Sequence, residues 1–408
     1  MLSTKNVVLK IFRILYLYVI IKSMNADRLK RHVKIVCTLG PASNTHEIIE
    51  KMLLSGMDVA RLNLSYGTLE EHRQTVAMVR SVSQKLNLPT AILLDCPGRK
   101  RRTGDTKAVF GNHLRFAEDT QVDFIALSFI TSTQQVEEVK SLAKEMSVNI
   151  PIVAKIEKGE ALAVSGSIID ISDGVMVARG DLGLQISIEK VPLAQKKIIR
   201  EANQRGKPVI TATEMLESMV KSPTPTRAEA TDVANAVLDG TDAVMLSEET
   251  SIGQYPVEAI QMMAKIICEA ETVLPHDKVF YEPQGDYLSE VDDATARAAC
   301  QIASQIDVKA IVALTAGGTT ALRVAKHRPG QPILAVTLSE TIMRQLNLVW
   351  GIYPLRKSSP TNLEEWLEVA RQTVLEIGLA KAGDVIVVTA GLPLGVPGST
   401  NLVKVHRV

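Results

Sequence analysis

A lysine and a glutamate two positions apart in an apolar run are the residues best suited to chemistry in this sequence. Lys155 and Glu157 follow the apolar segment 150–154. On a β-strand, residues two apart point to the same face, and an unpaired charge on a buried face is costly. The two side chains are therefore expected either to form a buried ion pair or to bind an ion and a substrate.

A second carboxylate, Asp181, follows the next apolar run and is preceded by Gly180. If the two runs are neighbouring strands, Glu157 and Asp181 can together hold one Mg²⁺, which prefers a few carboxylates along with substrate oxygens and water. Gly180 lets the backbone approach a ligand closely. The pattern predicts a divalent-cation site next to a substrate site.

Polar residues follow the other apolar runs as well. They are Arg61, Asn63, Ser65, Asp95, the cationic run Arg99-Lys100-Arg101-Arg102, Ser128 and Thr213. Strand ends lie near solvent in most folds, which explains single polar residues. It explains less well the paired charges of Lys155 and Glu157, so we expect a functional site at this end of the strands.

The apolar runs alternate with helix-length amphipathic segments, as expected for strands buried on both faces and covered by helices. Predicted strands span 33–39, 58–64, 90–96, 123–129, 150–156, 174–178, 208–211 and 242–246, with helices such as 45–55, 70–86 and 192–205 between them. Eight units in about 240 residues favour a (β/α)8 TIM barrel, although a doubly wound sheet uses similar units. Barrel reactive groups collect where strands end, which would bring the polar residues together.

The pattern divides the chain into an N-terminal extension (1–32), the barrel (33–273), a linker rich in proline and charge (274–292) and a smaller C-terminal α/β domain (293–408). In the last, strands are predicted at 310–314, 333–336 and 385–388, and helices at 294–305, 321–326 and 363–377.

Met24 precedes the first strand by about ten residues. We expect translation to begin there, with residues 1–23 disordered or spurious.

The composition narrows the classes of function. With 46% hydrophobic and 22% charged residues and a net charge of +1, the chain has no general attraction to nucleic acid or to an anionic membrane. The four cysteines, Cys37, Cys96, Cys268 and Cys300, form no CxxC pair. They are expected to be free thiols in a reducing cytoplasm.

Several long motifs resemble those of the pyruvate kinase family and occur in that family's order. They are KIVCTLGPAS (34–43), RLNLS (61–65), PIVAKIEKGE (151–160), SDGVMVARGDLG (172–183), PVITATEMLESM (208–219) and the run 225–243. The resemblance extends from about residue 33 to residue 408. It implies phosphoryl transfer from phosphoenolpyruvate to ADP, giving pyruvate and ATP in glycolysis.

The resemblance also implies roles for individual residues. Lys155 would stabilise charge on the phosphoryl group and the enolate, while Glu157 and Asp181 would hold Mg²⁺ or Mn²⁺. Arg61 would bind the phosphoryl group, and Arg102 matches a second arginine of the family. The implied substrate contacts are Gly180, Asp181, Ser128 and Thr213, and Thr213 would lie by the proton-transfer face of the enolate.

Four positions match those that hold K⁺ in many members of the family: Asn63, Ser65, Asp95 and Cys96. Lys100, however, stands where K⁺-requiring members often have glutamate. A fixed ammonium can replace a monovalent cation. The sequence therefore predicts that K⁺ is not required.

The family's lid, a β-barrel domain of about a hundred residues, is absent from this sequence. Thr103 and Gly104 are followed almost at once by a segment that resembles the helix before strand 4, so only a short loop at 105–113 is expected in place of the lid. A lid excludes water and closes on the nucleotide. Its loss predicts reduced efficiency. We expect Arg99 and Arg101 to grip nucleotide phosphates in its place, the alternative being a solvated charge run.

The C-terminal domain resembles the effector domain of the family, and the homotetramer of the family is also implied. The loop Thr315, Gly317, Gly318, Thr319 and Thr320 follows a strand and opens a helix, a setting that suits a sugar phosphate but is also an ordinary turn. Two other functions stay open. One is a lidless metal-dependent decarboxylase or lyase acting on enolpyruvate or 2-oxo acids, and the other is a non-catalytic metabolite sensor.

Overall fold

Eight parallel strands close into a barrel in the computed structural model, which describes residues 28–98, 106–274, 291–357, 362–393 and 398–408. The strands are β1 (Lys34–Thr38), β2 (Val59–Asn63), β3 (Ala91–Cys96), β4 (Phe124–Leu127), β5 (Ile152–Ile156), β6 (Gly174–Ala178), β7 (Val209–Ala212) and β8 (Ala243–Leu246). Each pairs with the next in chain order, and β1 also pairs with β8. The predicted barrel is confirmed, and the closure between β1 and β8 rules out a doubly wound sheet.

Helices surround this barrel. They are α1 (His46–Ser55), α2 (Leu69–Leu86), α3 (Thr106–Thr120), α4 (Thr133–Glu145), α5 (Gly159–Ala163), α6 (Ser165–Ile171), α7 (Arg179–Gly183), α8 (Val191–Gln204), α9 (Arg227–Leu238), α10 (Glu248–Ser251) and α11 (Pro256–Glu271). Thr68 and Glu71 form a capping box at the start of α2, which satisfies backbone N–H groups there. None of the helices in the described ranges is long and apolar enough to cross a membrane.

The expected loop at 105–113 is wrong for most of its length, because α3 already begins at Thr106. Phe110, Leu114 and Ala117 lie four and three positions apart and are all buried, so they form one face of a continuous helix. Gly111 is accommodated inside this helix. The chain thus passes from β3 to the helix that precedes β4 with no room for an inserted domain.

The C-terminal domain is a five-stranded sheet in the order β11-β10-β9-β12-β13, with β13 antiparallel to β12. Its elements are α12 (Val291–Gln305), β9 (Val308–Leu314), α13 (Thr319–Lys326), β10 (Ile333–Thr337), α14 (Glu340–Leu346), β11 (Ile352–Arg356), α15 (Leu363–Glu376), β12 (Val385–Gly391) and β13 (Thr400–Arg407). The sequence prediction missed β11 and β13. Neither strand is buried throughout: β11 is interrupted by partly exposed positions, and β13 is largely exposed, so both lack a continuous apolar signal.

The C-terminal domain docks on the end of the barrel where the strands begin. Arg344 donates from Nε to Asp123 Oδ1 at 2.8 Å, and Asn347 donates to the carbonyl oxygen of Asp58 at 2.9 Å. Residues 28–32, assigned to the extension, also contact this end, where Arg31 forms a buried ion pair with Asp58. Met24 and most of the linker lie outside the described residues, and α12 begins at Val291, inside the predicted linker. The opposite end of the barrel is left for the candidate site.

Candidate active site

Lys155 lies at the end of β5 and is surrounded by oxygen atoms. Its Nζ is 3.2 Å from each carboxylate oxygen of Asp95, donates to Ser128 Oγ at 2.8 Å and lies 2.7 Å from Glu157 Oε1. The side chain is only 9% exposed. Burial alone would lower the pKa of Lys155, but Asp95 and Glu157 raise it above its usual value, so the ammonium stays charged.

Asp95 connects this lysine to Arg61. The guanidinium of Arg61 donates to Asp95 Oδ2 from Nε at 2.9 Å and from Nη2 at 2.7 Å, and Nη1 donates to Thr38 Oγ1 at 2.8 Å. Burial would raise the pKa of Asp95, but Arg61 and Lys155 lower it below its usual value. One buried carboxylate therefore holds two cations side by side, which is an arrangement suited to an anionic substrate.

Both carboxylate oxygens of Glu157 are engaged. Oε2 accepts from the backbone N–H of Phe129 at 2.8 Å, and Oε1 forms the 2.7 Å ion pair with the Lys155 ammonium. Burial raises the pKa of Glu157, Lys155 opposes the rise, and the negative charge of Asp181 adds to it. A second cation near these two carboxylates would relieve both effects.

The sequence suggested that Asp181 lies on a strand next to that of Glu157. It lies instead in the short helix α7, directly after β6. The Asp181 carboxylate still acts on Glu157, so the two predicted metal ligands share one region. No group of three or more His, Cys, Asp or Glu side chains that could hold a metal ion exists within the described ranges. The two carboxylates of Glu157 and Asp181 fit a magnesium ion that takes its remaining ligands from substrate and water.

Thr213 lies just past β7 with φ at 68°, in the left-handed region that is unusual for a β-branched residue. Its hydroxyl accepts from Gly180 N at 2.7 Å and donates to the carbonyl oxygen of Ala212 at 2.6 Å. Glu214, the next residue, also has a positive φ of 54°. Backbone strain of this kind persists only where surrounding contacts impose it.

Arg179 supplies those contacts and was not among the predicted site residues. Its buried guanidinium donates to the carbonyl oxygens of Thr213 at 2.6 Å and Glu214 at 3.1 Å, and pairs with Asp232 at 2.6 Å. An arginine directly before Gly180 at a strand end was the available signal. Thr38, which binds Arg61 from the end of β1, was missed for want of any comparable signal.

The structure therefore brings together Arg61, Asp95, Ser128, Lys155 and Glu157 by direct contacts. The backbone N–H of Gly180 donates a hydrogen bond to the Thr213 hydroxyl, and the negative charge of Asp181 raises the pKa of Glu157. Asn63 Oδ1 accepts from Ser65 N at 3.1 Å at a more exposed position, and Cys96 is buried. The run Arg99, Lys100, Arg101 and Arg102 lies outside the described residues.

The loop predicted to bind an effector lies in the C-terminal domain, away from this cluster. Thr315 Oγ1 accepts from Gly318 N at 2.9 Å, Gly318 has a φ of 89°, and α13 starts at Thr319. Thr320 Oγ1 is 2.8 Å from Thr400 Oγ1, so this loop touches the segment that starts β13. Gly317 precedes Gly318 in the same turn.

Comparison with known proteins agrees with this geometry. The family model described as "Pyruvate kinase, barrel domain" matches residues 30–113 and 110–260, and "Pyruvate kinase, alpha/beta domain" matches residues 293–406. Pyruvate kinases from Geobacillus stearothermophilus and Staphylococcus aureus are each 36% identical over 93% of this chain, which covers 81% and 80% of their own lengths. Both alignments exceed the 408 residues of this chain, at 474 and 471 residues, so the relatives contain residues that have no counterpart here.

The barrel model is thus matched in two segments that overlap at residues 110–113, inside α3. This is the position at which the sequence lacks the lid. The chain belongs to the pyruvate kinase family, the phosphotransferases that act between phosphoenolpyruvate and ADP in glycolysis, and it is a member without the lid domain.

Proposed function

We propose that this chain transfers the phosphoryl group of phosphoenolpyruvate to ADP at the Lys155 cluster, in a site open to solvent. The observation that carries the proposal is the buried ammonium of Lys155, held charged by Asp95 and Glu157 beside the Arg61 guanidinium. Two fixed cations stabilise negative charge that develops on the transferring group and on the enolate oxygen. Arg61 binds and orients the phosphoryl group, with Arg102 as a second contact.

Glu157 and Asp181 would hold Mg²⁺ or Mn²⁺, which would neutralise charge on the substrate and phosphoryl oxygens. The backbone N–H of Phe129 fixes Oε2 of Glu157, and the Lys155 ammonium contacts Oε1. Ser128 orients Lys155 through the 2.8 Å hydrogen bond. These contacts support the assignment of Gly180, Asp181, Ser128 and Thr213 as substrate-binding positions.

Thr213 is proposed to act at the proton-transfer face of the enolate. Its hydroxyl proton is directed to the Ala212 carbonyl oxygen, and Gly180 N donates to the same hydroxyl oxygen. The hydrogen bond from Gly180 in α7 therefore fixes the orientation of the Thr213 hydroxyl. The strained backbone that holds it is typical of a positioned functional group.

The decisive measurement is pyruvate formation from phosphoenolpyruvate and Mg²⁺, with and without ADP. We expect ADP-dependent pyruvate in a one-to-one ratio with ATP, and a loss of about 10³-fold or more in kcat in Lys155→Met. Turnover of oxaloacetate but not phosphoenolpyruvate would instead establish the decarboxylase or lyase. Absence of both activities, with effector binding retained, would establish the sensor.

The open site is proposed to lower efficiency and to depend on the cationic run for nucleotide binding. Arg99 and Arg101 would contact the ADP phosphates that a lid would otherwise cover. We expect Arg99→Ala and Arg101→Ala to raise the KM for ADP while leaving the KM for phosphoenolpyruvate unchanged. An unchanged KM for ADP in both variants would mean that the run is a solvated surface.

K⁺ is proposed not to be required, because Lys100 would supply a fixed charge at a position where K⁺-requiring members of the family often have glutamate. The residues that match the K⁺ positions are Asn63, Ser65, Asp95 and Cys96. In support, both oxygens of Asp95 are already engaged by cations or a hydroxyl. We expect the same activity in potassium and tetramethylammonium salts at constant ionic strength. Activation by several-fold in potassium would contradict this assignment.

The C-terminal loop at Thr315–Thr320 is proposed to bind a sugar-phosphate effector, with its N–H groups at the start of α13 facing the phosphate.

A homotetramer is proposed as well, supported by the exposed apolar side chains of Leu184, Ile188 and Leu193 after α7. Light scattering of the purified chain would measure the assembly. The four cysteines form no disulfide with one another, in keeping with the proposed cytoplasmic location.

A further inference from the structure

A crevice lies between the barrel and the C-terminal domain, on the far side of the molecule from the Lys155 cluster. Its walls include the residues before β7 and β8 on the barrel side and α13 with the segment after it on the other. It is lined by Asn203, Gly206, Lys207, Pro208, Asp242, Leu322, Ala325, Lys326, Arg328 and Val349. The empty space is about 230 Å³ including its open mouth, and the enclosed part has room for roughly one water-sized group.

The charge in this interface crevice is predominantly positive. Lys207, Lys326 and Arg328 contribute cations, and Asp242 is the carboxylate among the lining residues. Asp242 is already engaged: its oxygens accept from Val209 N at 3.0 Å and from Trp350 N at 3.2 Å, and one lies 3.2 Å from Arg328 Nη2. It has little capacity left to neutralise the lysines.

Arg328 has hydrogen-bond donors that no described residue satisfies. Its side chain is 5% exposed, and Nη2 donates to Asn203 Oδ1 at 2.7 Å and to the Gly240 carbonyl oxygen at 3.0 Å. Nε and Nη1 have no hydrogen-bond partner in the described part of the chain. Buried donors without an acceptor carry the full cost of desolvation, so they mark a place where an acceptor is expected. Arg328 also has a φ of 49°, so its backbone is held in an unfavourable conformation at this position.

Lys207 lacks a carboxylate within ion-pair distance among the described residues, and its Nζ donates to the carbonyl oxygen of Ser172 at 2.7 Å. Burial lowers the pKa of Lys207, as expected for an ammonium that is partly shielded from water. Lys326 is paired with Asp293 at 2.9 Å and brings a further positive charge to the opposite wall. The barrel and the C-terminal domain thus each place cations at one small opening.

We propose that the interface crevice binds a small inorganic anion, either a halide or one oxygen of a phosphate group, through Arg328, Lys207 and Lys326. The anion accepts from the unsatisfied donors of Arg328 and balances the excess positive charge. Because its ligands come from both domains, the bound anion strengthens their contact. This site is independent of the phosphoryl-transfer site and of the loop at Thr315–Thr320.

The test is the thermal unfolding of the full chain as sodium phosphate or sodium chloride replaces sodium gluconate at constant ionic strength. We expect a saturable rise in Tm with at least one of the two anions, since gluconate is too large for the enclosed space. Lys207→Gln and Lys326→Gln should each raise the half-saturating concentration by about tenfold, the loss expected for one charge-assisted contact. Arg328→Lys, which keeps the charge but removes Nε and Nη1, should weaken binding similarly.

Lys309→Gln is the matched control, because Lys309 is a partly exposed lysine of the same domain paired with Asp307 at 2.8 Å, and its response should equal that of the unaltered chain. Lys155→Met should also respond normally, which separates the crevice from the active site. If Arg328→Lys does not fold, the two lysine variants carry the test. A response to phosphate alone identifies a phosphate group, and a response to chloride identifies a halide. No saturable rise with either anion, or one that survives both lysine variants, would overturn the proposal and leave only water in the crevice.

Discussion

Replacing Asp95 by asparagine removes the negative charge that separates the two cations of the site. The carboxylate is 2% exposed, receives two bonds from Arg61 at 2.7 and 2.9 Å, and lies 3.2 Å from Lys155 Nζ. Asparagine keeps the shape and one acceptor oxygen but turns an NH₂ group toward a cation. The variant thus leaves Arg61 and Lys155 facing each other with Glu157 as the remaining counterion.

Removing one partner of a buried ion pair costs about 3–5 kcal/mol of unfolding free energy, and we expect Asp95→Asn to cost about 3 kcal/mol because Glu157 still compensates Lys155. In the Asp95→Asn background, Lys155→Met should cost less than in the unaltered chain, with a coupling energy of about 1–3 kcal/mol. Denaturant titrations with a common m-value measure both quantities. The pKa of Asp95 is lowered in the folded chain, so its contribution is present above its unfolded pKa and lost as the pH falls below about 4.

The exposed pair of Asp307 and Lys309 provides the control, and Asp307→Asn should cost less than about 0.5 kcal/mol. The reasoning is refuted if Asp95→Asn costs under about 1 kcal/mol, a surface-like value. It is equally refuted if the effects of Asp95→Asn and Lys155→Met simply add. Either result would mean that the oxygens around Lys155 do not act as one electrostatic unit.

Three further outcomes are expected. Burial lowers the pKa of Lys34 to about 8, so the unfolded chain binds more protons than the folded chain above that pH. From pH 7 to pH 10, the free energy of unfolding of the unaltered chain should therefore rise by about 2 kcal/mol relative to that of Lys34→Met. A pH-independent difference between the two chains in denaturant titrations would contradict this. Gly98→Ala would place a Cβ 1.9 Å from the Ser128 carbonyl oxygen and should lower the free energy of unfolding by about 3 kcal/mol. A Tm within about one degree of that of the unaltered chain would contradict this close contact. Glu157→Gln should raise the Mg²⁺ concentration for half-maximal activity at least about tenfold, and an unchanged requirement would remove Glu157 from the metal site.

The fold was largely predictable because its signals are local. Strands buried on both faces must be apolar throughout, so eight apolar runs separated by amphipathic helices could be identified from the sequence. The prediction was wrong where that signal is weak. The first part of α3 falls in the segment predicted as a loop, and β13 is a largely exposed edge strand.

The types of the site residues were also evident, because polar side chains at the ends of apolar runs are conspicuous. Lys155, Glu157 and Asp181 could be chosen for their chemistry and spacing. Asp95 was expected in the same region, but its pairing with Lys155 was not predictable, because the two are 60 positions apart, and Thr38 is 23 positions from Arg61. No periodicity connects residues so far apart.

By itself the sequence determined the eight barrel strands, their order along the chain, and which charged groups lie at their ends. Only the tertiary structure decided that one carboxylate, Asp95, holds both Arg61 and Lys155, and that Arg179 maintains the strained backbone at Thr213. The physical reason is closure of the barrel. Side chains from separate strands share a single interior only when β1 pairs with β8. Because that interior is shielded from water, each ion pair or hydrogen bond in it is strong enough to hold the neighbouring side chains in position.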